Sequence, residues 1–169
     1  CNPATEDPDN PPWRVMPEVS GGGHFFDLAS HQLDYLDYLL GPIASASGHT
    51  RNQAGLYAAE DAVAASFAFE SGVLGNGTWS FAADRRQDRI ELIGDKGHIA
   101  FSTFDFTPVE LTRATGTEAF DYPAPEHVQQ PLVQTIVNTL LNRGECPSTG
   151  TSAARTSRII DLIVHANVA

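Results

Sequence analysis

An aspartate and a histidine four residues apart, Asp27 and His31, sit in a stretch whose apolar residues recur at helical spacing. One turn of helix places such a pair side by side. An imidazole titrates near neutrality and can take a proton, and a neighbouring carboxylate can orient its ring or hold a substrate hydroxyl. That combination suits the oxidation of a secondary alcohol, where a base must take the hydroxyl proton. His24 adds a second possibility, because His24, Asp27 and His31 at i, i+3 and i+7 also make three metal ligands on one helix face. A third reading is plainer: an Asp–His pair on a soluble helix can be a solvated pair contributing a few tenths of a kcal/mol. Upstream, Arg14 beside Trp13 offers a guanidinium that could grip hydroxyls or a carboxylate, or be an ordinary ion-paired surface arginine.

The element that must position these groups runs from Ser20 to Pro42. Phe26, Ala29, Leu33, Leu36 and Leu40 form one apolar stripe, and His24, Asp27, His31, Asp34 and Tyr38 lie nearly opposite. A helix is predicted from about Gly23 to Leu40. Gly21, Gly22 and Gly23 strip side chains from its start, so a ligand or another backbone can approach free N–H groups. Gly22, Gly23 and His24 are therefore candidate ligand contacts. Gly41 and Pro42 stop the helix.

The rest of the chain supplies a scaffold. Residues 1–12, rich in proline, Asp and Asn, read as an arm or loop. Trp13–Val19 reads as a short extended piece. Ile43–Asn52 is a weakly alternating strand. Asp61–Glu70 alternates clearly, and Ser71-Gly72 reads as a two-residue hairpin turn into Val73–Phe81. With that turn, Ala62, Ala64, Ser66 and Ala68 share a small-residue face with Gly75 and Gly77, which invites close packing by helices or a partner subunit. A second hairpin, Arg89–Gly94 with His98–Phe101, turns at Asp95-Lys96-Gly97, and strands are predicted over Pro108–Arg113 and Thr117–Tyr122. Pro131 opens a helix carrying Leu132, Val133, Ile136, Val137, Leu140 and Leu141. Thr151 or Ser152 caps another, Ala153 to about Ala166, with Ile159, Ile160 and Ile163 inward. Strands clustered between terminal helices imply an α+β fold, a mostly antiparallel open-faced sheet with helices on one face, forming one domain over residues 13–169.

Composition narrows the partners. A formal charge of −11 over 169 residues repels nucleic acid and anionic membrane. Neither membrane-length apolar runs nor a signal peptide is visible. The two cysteines, Cys1 and Cys146, lie far apart and do not make a disulfide framework, which fits a reducing, cytoplasmic compartment. The missing initiator methionine reads as a processed or partial chain.

Trp13-Arg14, Gly21-Gly22-Gly23, Asp27-x-x-x-His31 and the Leu/Asp/Tyr-rich helix ending in Gly41-Pro42 together resemble the C-terminal domain of the glucose-fructose oxidoreductase / inositol dehydrogenase / rhizopine catabolism (Gfo/Idh/MocA) family. The likeness continues through Glu60-Asp61-Ala62-Val63, Phe69–Gly75, Gly94–Gly97 and Cys146–Gly150. The resemblance implies that Asp27 and His31 are the catalytic pair, beside which Arg14, Gly22, Gly23 and His24 are the candidate substrate contacts. It implies a sugar, inositol or related polyol substrate, and NAD or NADP held mainly by an N-terminal Rossmann domain absent from this chain. An isolated fragment would then be inactive, and Cys1 falls mid-protein rather than at a lipoprotein terminus. The open sheet face becomes the expected surface of a homo-oligomer. The alternative is a non-catalytic oligomerisation module, or a metal-binding one using His24, Asp27 and His31.

Overall fold

A computed structural model describes residues 10–165, which divide into two compact units, one of residues 10–86 with 148–165, the other of residues 87–147; most of the arm expected over residues 1–12 lies outside the described residues. In the first unit, a 3-10 turn at Trp13–Val15 and a four-residue helix, α1 (Pro17–Ser20), occupy the segment expected to be extended. Pro17 at a first helical position favours that coil because its fixed φ is already helical and its missing N–H is not needed there. Gly21, at φ +81°, closes α1 in the left-handed conformation.

The predicted helix spans the expected residues with one change of pitch. Phe25–Ala29 winds as a π-helical turn, and α2 (Ser30–Leu40) continues as ordinary α-helix. A π-turn takes up an extra residue per revolution and so rotates the residues before it relative to the helix after it. The buried stripe is accordingly Phe25, Ala29 and Leu33, each 0% exposed, and the expected Phe26 is only partly buried.

Strands β1 (Ile43–Arg51), β2 (Ala62–Phe69) and β3 (Leu74–Ser80) form an antiparallel sheet in that order. Val63, Ala65, Phe67 and Phe69 face the core as the alternation predicted. The β2–β3 turn differs. It holds three residues, Glu70 to Gly72, closed by the Phe69 N–H donating to Val73 O at 2.9 Å and the Gly72 N–H donating to Phe69 O at 2.9 Å, with Gly72 at φ +88°. One residue more than the expected Ser71-Gly72 turn flips β3 over. Gly75 therefore pairs with Phe67 and Gly77 with Ala65 on the buried face, where the rings of Phe67 and Trp79 fill the space a Cβ would need. The outer face instead carries Ser45, Ser47 and His49, then Ala64, Ser66 and Ala68, then Leu74, Asn76 and Thr78.

Helix α4 (Gly150–His165) packs on β1 and on α2, with Ile159, Ile160 and Ile163 buried as predicted. Its cap lies earlier than expected: Thr149 and Ser152 bond reciprocally, N–H to hydroxyl, at 2.9 and 3.3 Å, a capping box that sets the start at Gly150 rather than Ala153. At the β1 contact a Cβ on Gly48 would stand 2.7 Å from Ile163 Cγ2 and 3.0 Å from the Ile163 carbonyl oxygen. Gly48→Ala should thus cost about 1–3 kcal/mol of stability by forcing α4 off the sheet, measurable as a lower urea midpoint.

The second unit is a four-stranded antiparallel meander, β4 (Ile90–Gly94), β5 (Gly97–Phe101), β6 (Val109–Arg113) and β7 (Gly116–Phe120), followed by α3 (Gln130–Leu140). Its first hairpin turns at Asp95-Lys96, between the paired Gly94 and Gly97. Asp88 anchors the segment after β5 by accepting from the Ser102 hydroxyl and from the Phe104 N–H. The expected α+β class with antiparallel strands holds, and the described strands fall into two sheets, β1–β3 and β4–β7.

Candidate functional site

In the first unit, the π-turn, the 3-10 turn and α4 converge on a cavity of about 300 Å³ lined by Trp13, Arg14, Gly23, Phe26, Asp27 and Asp161, among others. Arg14 Nε donates to Asp27 Oδ2 at 3.0 Å, and the guanidinium lies over the Trp13 ring, 4.6 Å from its centroid. Both partners are well hydrated, with side chains 47% and 39% exposed. An ion pair so placed stabilises a fold by only about 0.2–1 kcal/mol, so fold stability is a weak reason for the arrangement. Because Nε alone is engaged, the terminal nitrogens of Arg14 are available to a ligand at the mouth.

The glycine run does something other than leave N–H groups open. Gly22 and Gly23 are buried. The Phe26 ring occupies the place a Cβ on Gly22 would take, and one on Gly23 would stand 2.8 Å from Ala59 Cβ and 2.9 Å from the Glu60 carbonyl oxygen. The Gly23 N–H donates to Glu60 Oε1 at 3.2 Å. The glycines let the start of the helix press against the segment before β2, with Gly23 reaching the cavity wall.

His24 is buried away from the cavity lining, edge-on to Tyr57 and tilted against Phe81 at centroid distances of 5.7 and 5.6 Å. His31 lies on the exposed side of α2, beyond the residues that line the cavity. The structure therefore gathers Arg14, Gly23 and Asp27 at one cavity, and sets Gly22 and His24 in the packing behind it. The three-ligand reading does not hold: among the described residues no three His, Cys, Asp or Glu side chains converge to hold a metal ion. His24 turns inward to the aromatic rings and Asp27 outward to Arg14, a divergence that follows from the π-turn between them.

Glu60 is the residue that pattern reading passed over as chemistry. Burial pushes its carboxyl above the ordinary glutamate range, against the opposing pull of backbone N–H groups, that of Gly23 included, and of His24. Its role could be suspected only from the neighbouring Asp61, whose carboxylate accepts the Gln53 and Ala54 N–H groups at 2.7 Å each and closes the loop after β1. A raised carboxyl pKa favours the fold fully below the ordinary glutamate value, and that contribution is lost as pH rises through the raised value. Glu60→Gln, which keeps an acceptor for Gly23, should therefore raise the melting temperature at neutral pH. The advantage should vanish on acidification below the usual glutamate range, as followed by calorimetry.

Among the described residues no strand, glycine-rich turn and helix make a parallel βαβ unit, so they contain no cradle for a dinucleotide pyrophosphate. No helix among them is long and apolar enough to cross a membrane.

A family profile described as the GFO/IDH/MocA C-terminal domain matches residues 1–100. Oxidoreductase P35 of Formosa agariphila is 32% identical over 152 residues, which is 89% of this chain and 46% of that protein. A levoglucosan dehydrogenase in complex with NADH and levoglucosan superposes with a TM-score of 0.78 at 19% identity, over 93% of this chain and 51% of that one. An aldose-aldose oxidoreductase from Caulobacter crescentus complexed with glycerol gives 0.76 at 19% identity, over 92% and 48%. An oxidoreductase from Agrobacterium radiobacter with NAD+, L-tartaric acid and magnesium gives 0.70 at 19% identity, over 84% and 46%. The chain spans about half the length of each of these proteins.

Proposed function

We propose, from the premise that this chain belongs to the GFO/IDH/MocA family of oxidoreductases as a C-terminal domain, that it supplies the substrate-binding and proton-transfer half of an NAD(P)-dependent dehydrogenase acting on a sugar, inositol or related polyol. The observation that carries this reading is the hydrated Arg14–Asp27 pair at a cavity floored by Gly23 and flanked by Trp13, with His31 one turn along the same helix. His31 takes the proton of the reacting hydroxyl while the carbinol carbon is oxidised, and Asp27 orients that ring or holds a neighbouring hydroxyl. Arg14 donates to neighbouring hydroxyls, and Trp13 offers an aromatic face to C–H groups. The nicotinamide, which supplies the hydride acceptor, is held by a Rossmann domain outside the described residues. The isolated chain should accordingly be inactive, and calorimetry with NAD(P)H should show no binding.

The bound NADH, levoglucosan and glycerol of the structural neighbours agree with this substrate class. The outer face of β1–β3, built mostly from Ser, Ala, Thr and Asn with His49 and the exposed Leu74, supports self-association of the enzyme, and the sparse cysteines support a cytoplasmic setting. The test is reduction of NAD(P) by polyols in the enzyme that carries this chain, compared with its Asp27 and His31 variants. Full turnover in both variants would overturn the assignment.

A further inference from the structure

We infer that Asp161 on α4 is a specificity-determining residue of this site, selecting uncharged polyhydroxy ligands and turning away their carboxylate counterparts. The inference rests on the assignment of the cavity to substrate made above. Asp161 and Ser157, one turn apart on α4, reach the cavity from the end of the chain opposite to Arg14 and Asp27. Both are exposed, and neither side chain has a hydrogen-bond or ion-pair partner among the described residues.

Charge makes the argument. The cavity carries one guanidinium, Arg14, and two carboxylates, Asp27 and Asp161. Asp27 already offsets Arg14 at 3.0 Å, so the charge left over is that of Asp161. A ligand carboxylate drawn to the free nitrogens of Arg14 would meet that uncompensated charge, in a chain whose net charge is already −11. A hydroxyl meets the opposite situation, since it can donate to Asp161 in a charge-assisted bond while Ser157 serves as donor or acceptor beside it. Trp13 and Phe26 supply apolar wall for the C–H face of a ring. Without Asp161 the site would be neutral, with an arginine suited to gripping an acid.

The experiment titrates this chain with glucose and with glucuronate, which differ by one CH2OH oxidised to a carboxylate, and follows the indole N–H resonance of Trp13 by NMR. Glucose should bind at least about tenfold more tightly than glucuronate, Asp161→Asn should shrink that gap to about threefold or less, and added salt should narrow it in the unaltered chain. Asp161 is exposed, so its replacement leaves the core untouched. A gap unchanged in Asp161→Asn overturns the inference and leaves the catalytic assignment to stand on turnover of the Asp27 and His31 variants. Equal binding of the two sugars by the unaltered chain also overturns it. If neither sugar moves the Trp13 signal, the assignment of the cavity to substrate falls as well.

Discussion

His31→Ala and Asp27→Ala, each made in the enzyme that carries this chain, should lower kcat by about 10²- to 10⁴-fold, the usual loss when a positioned proton acceptor is removed. Cofactor affinity should change little, because no part of the described residues cradles a dinucleotide. The two changes should be strongly non-additive, with the double variant little worse than either single one, since a pair that handles one proton fails as a unit. Asp27→Ala has a second signature: releasing Arg14 from its 3.0 Å contact removes one negative charge from the cavity, so the KM for the polyol should move together with kcat. Steady-state kinetics with variants of unchanged melting temperature would decide it. Near-full turnover in both would return the pair to the solvated surface of a helix.

The second large effect is on stability. Phe25→Ala should cost about 3–5 kcal/mol, because Phe25 is 0% exposed, packs edge-on to Trp79 with centroids 5.0 Å apart, and would leave a cavity that its neighbours cannot fill. Phe26→Ala should cost clearly less, since that ring is only partly buried. A straight α-helix running from Gly23, with its stripe through Phe26, demands the reverse order. Urea denaturation of the two variants therefore tests the π-turn directly, and a larger loss in Phe26→Ala would remove it.

These two predictions mark where sequence patterns carry and where they stop. Among the described residues, the seven strands and the three longer helices were readable within a few residues, because period-2 alternation in β2 and the 3.6-residue spacing in α4 record which side of each element meets the core. Two local facts were not readable. The π-turn adds no distinctive residue to the sequence, although it is the winding in which Phe25 is buried beside Trp79 and Asp27 faces Arg14. The three-residue turn after Phe69 differs from a two-residue one by a single position, and that difference moved Gly75 and Gly77 to the opposite face. Of the residues singled out by type and spacing, Arg14 and Asp27 line the cavity and His31 lies beyond its lining. Glu60 and Asp161 were not, because the first meets the Gly23 N–H across 37 positions and the second reaches the cavity from a distant helix.

Arg155 grips the buried Asp37 through two nitrogens, at 2.5 and 3.2 Å, across 118 positions of sequence. On the ribosome that distance is time. At ~5–20 residues per second, α2 waits roughly 6–24 s for its arginine to be synthesised. Throughout that interval the nascent chain holds a carboxylate destined for the interior with no cation to meet it, next to the apolar β1–β2 surface that α4 will cover. Residues 87–147, a compact unit in their own right, emerge and can fold first. The first unit is thus completed only after α4 has emerged, and a ribosome stalled before Arg155 would leave a product with its charge unpaired and its core open to aggregation.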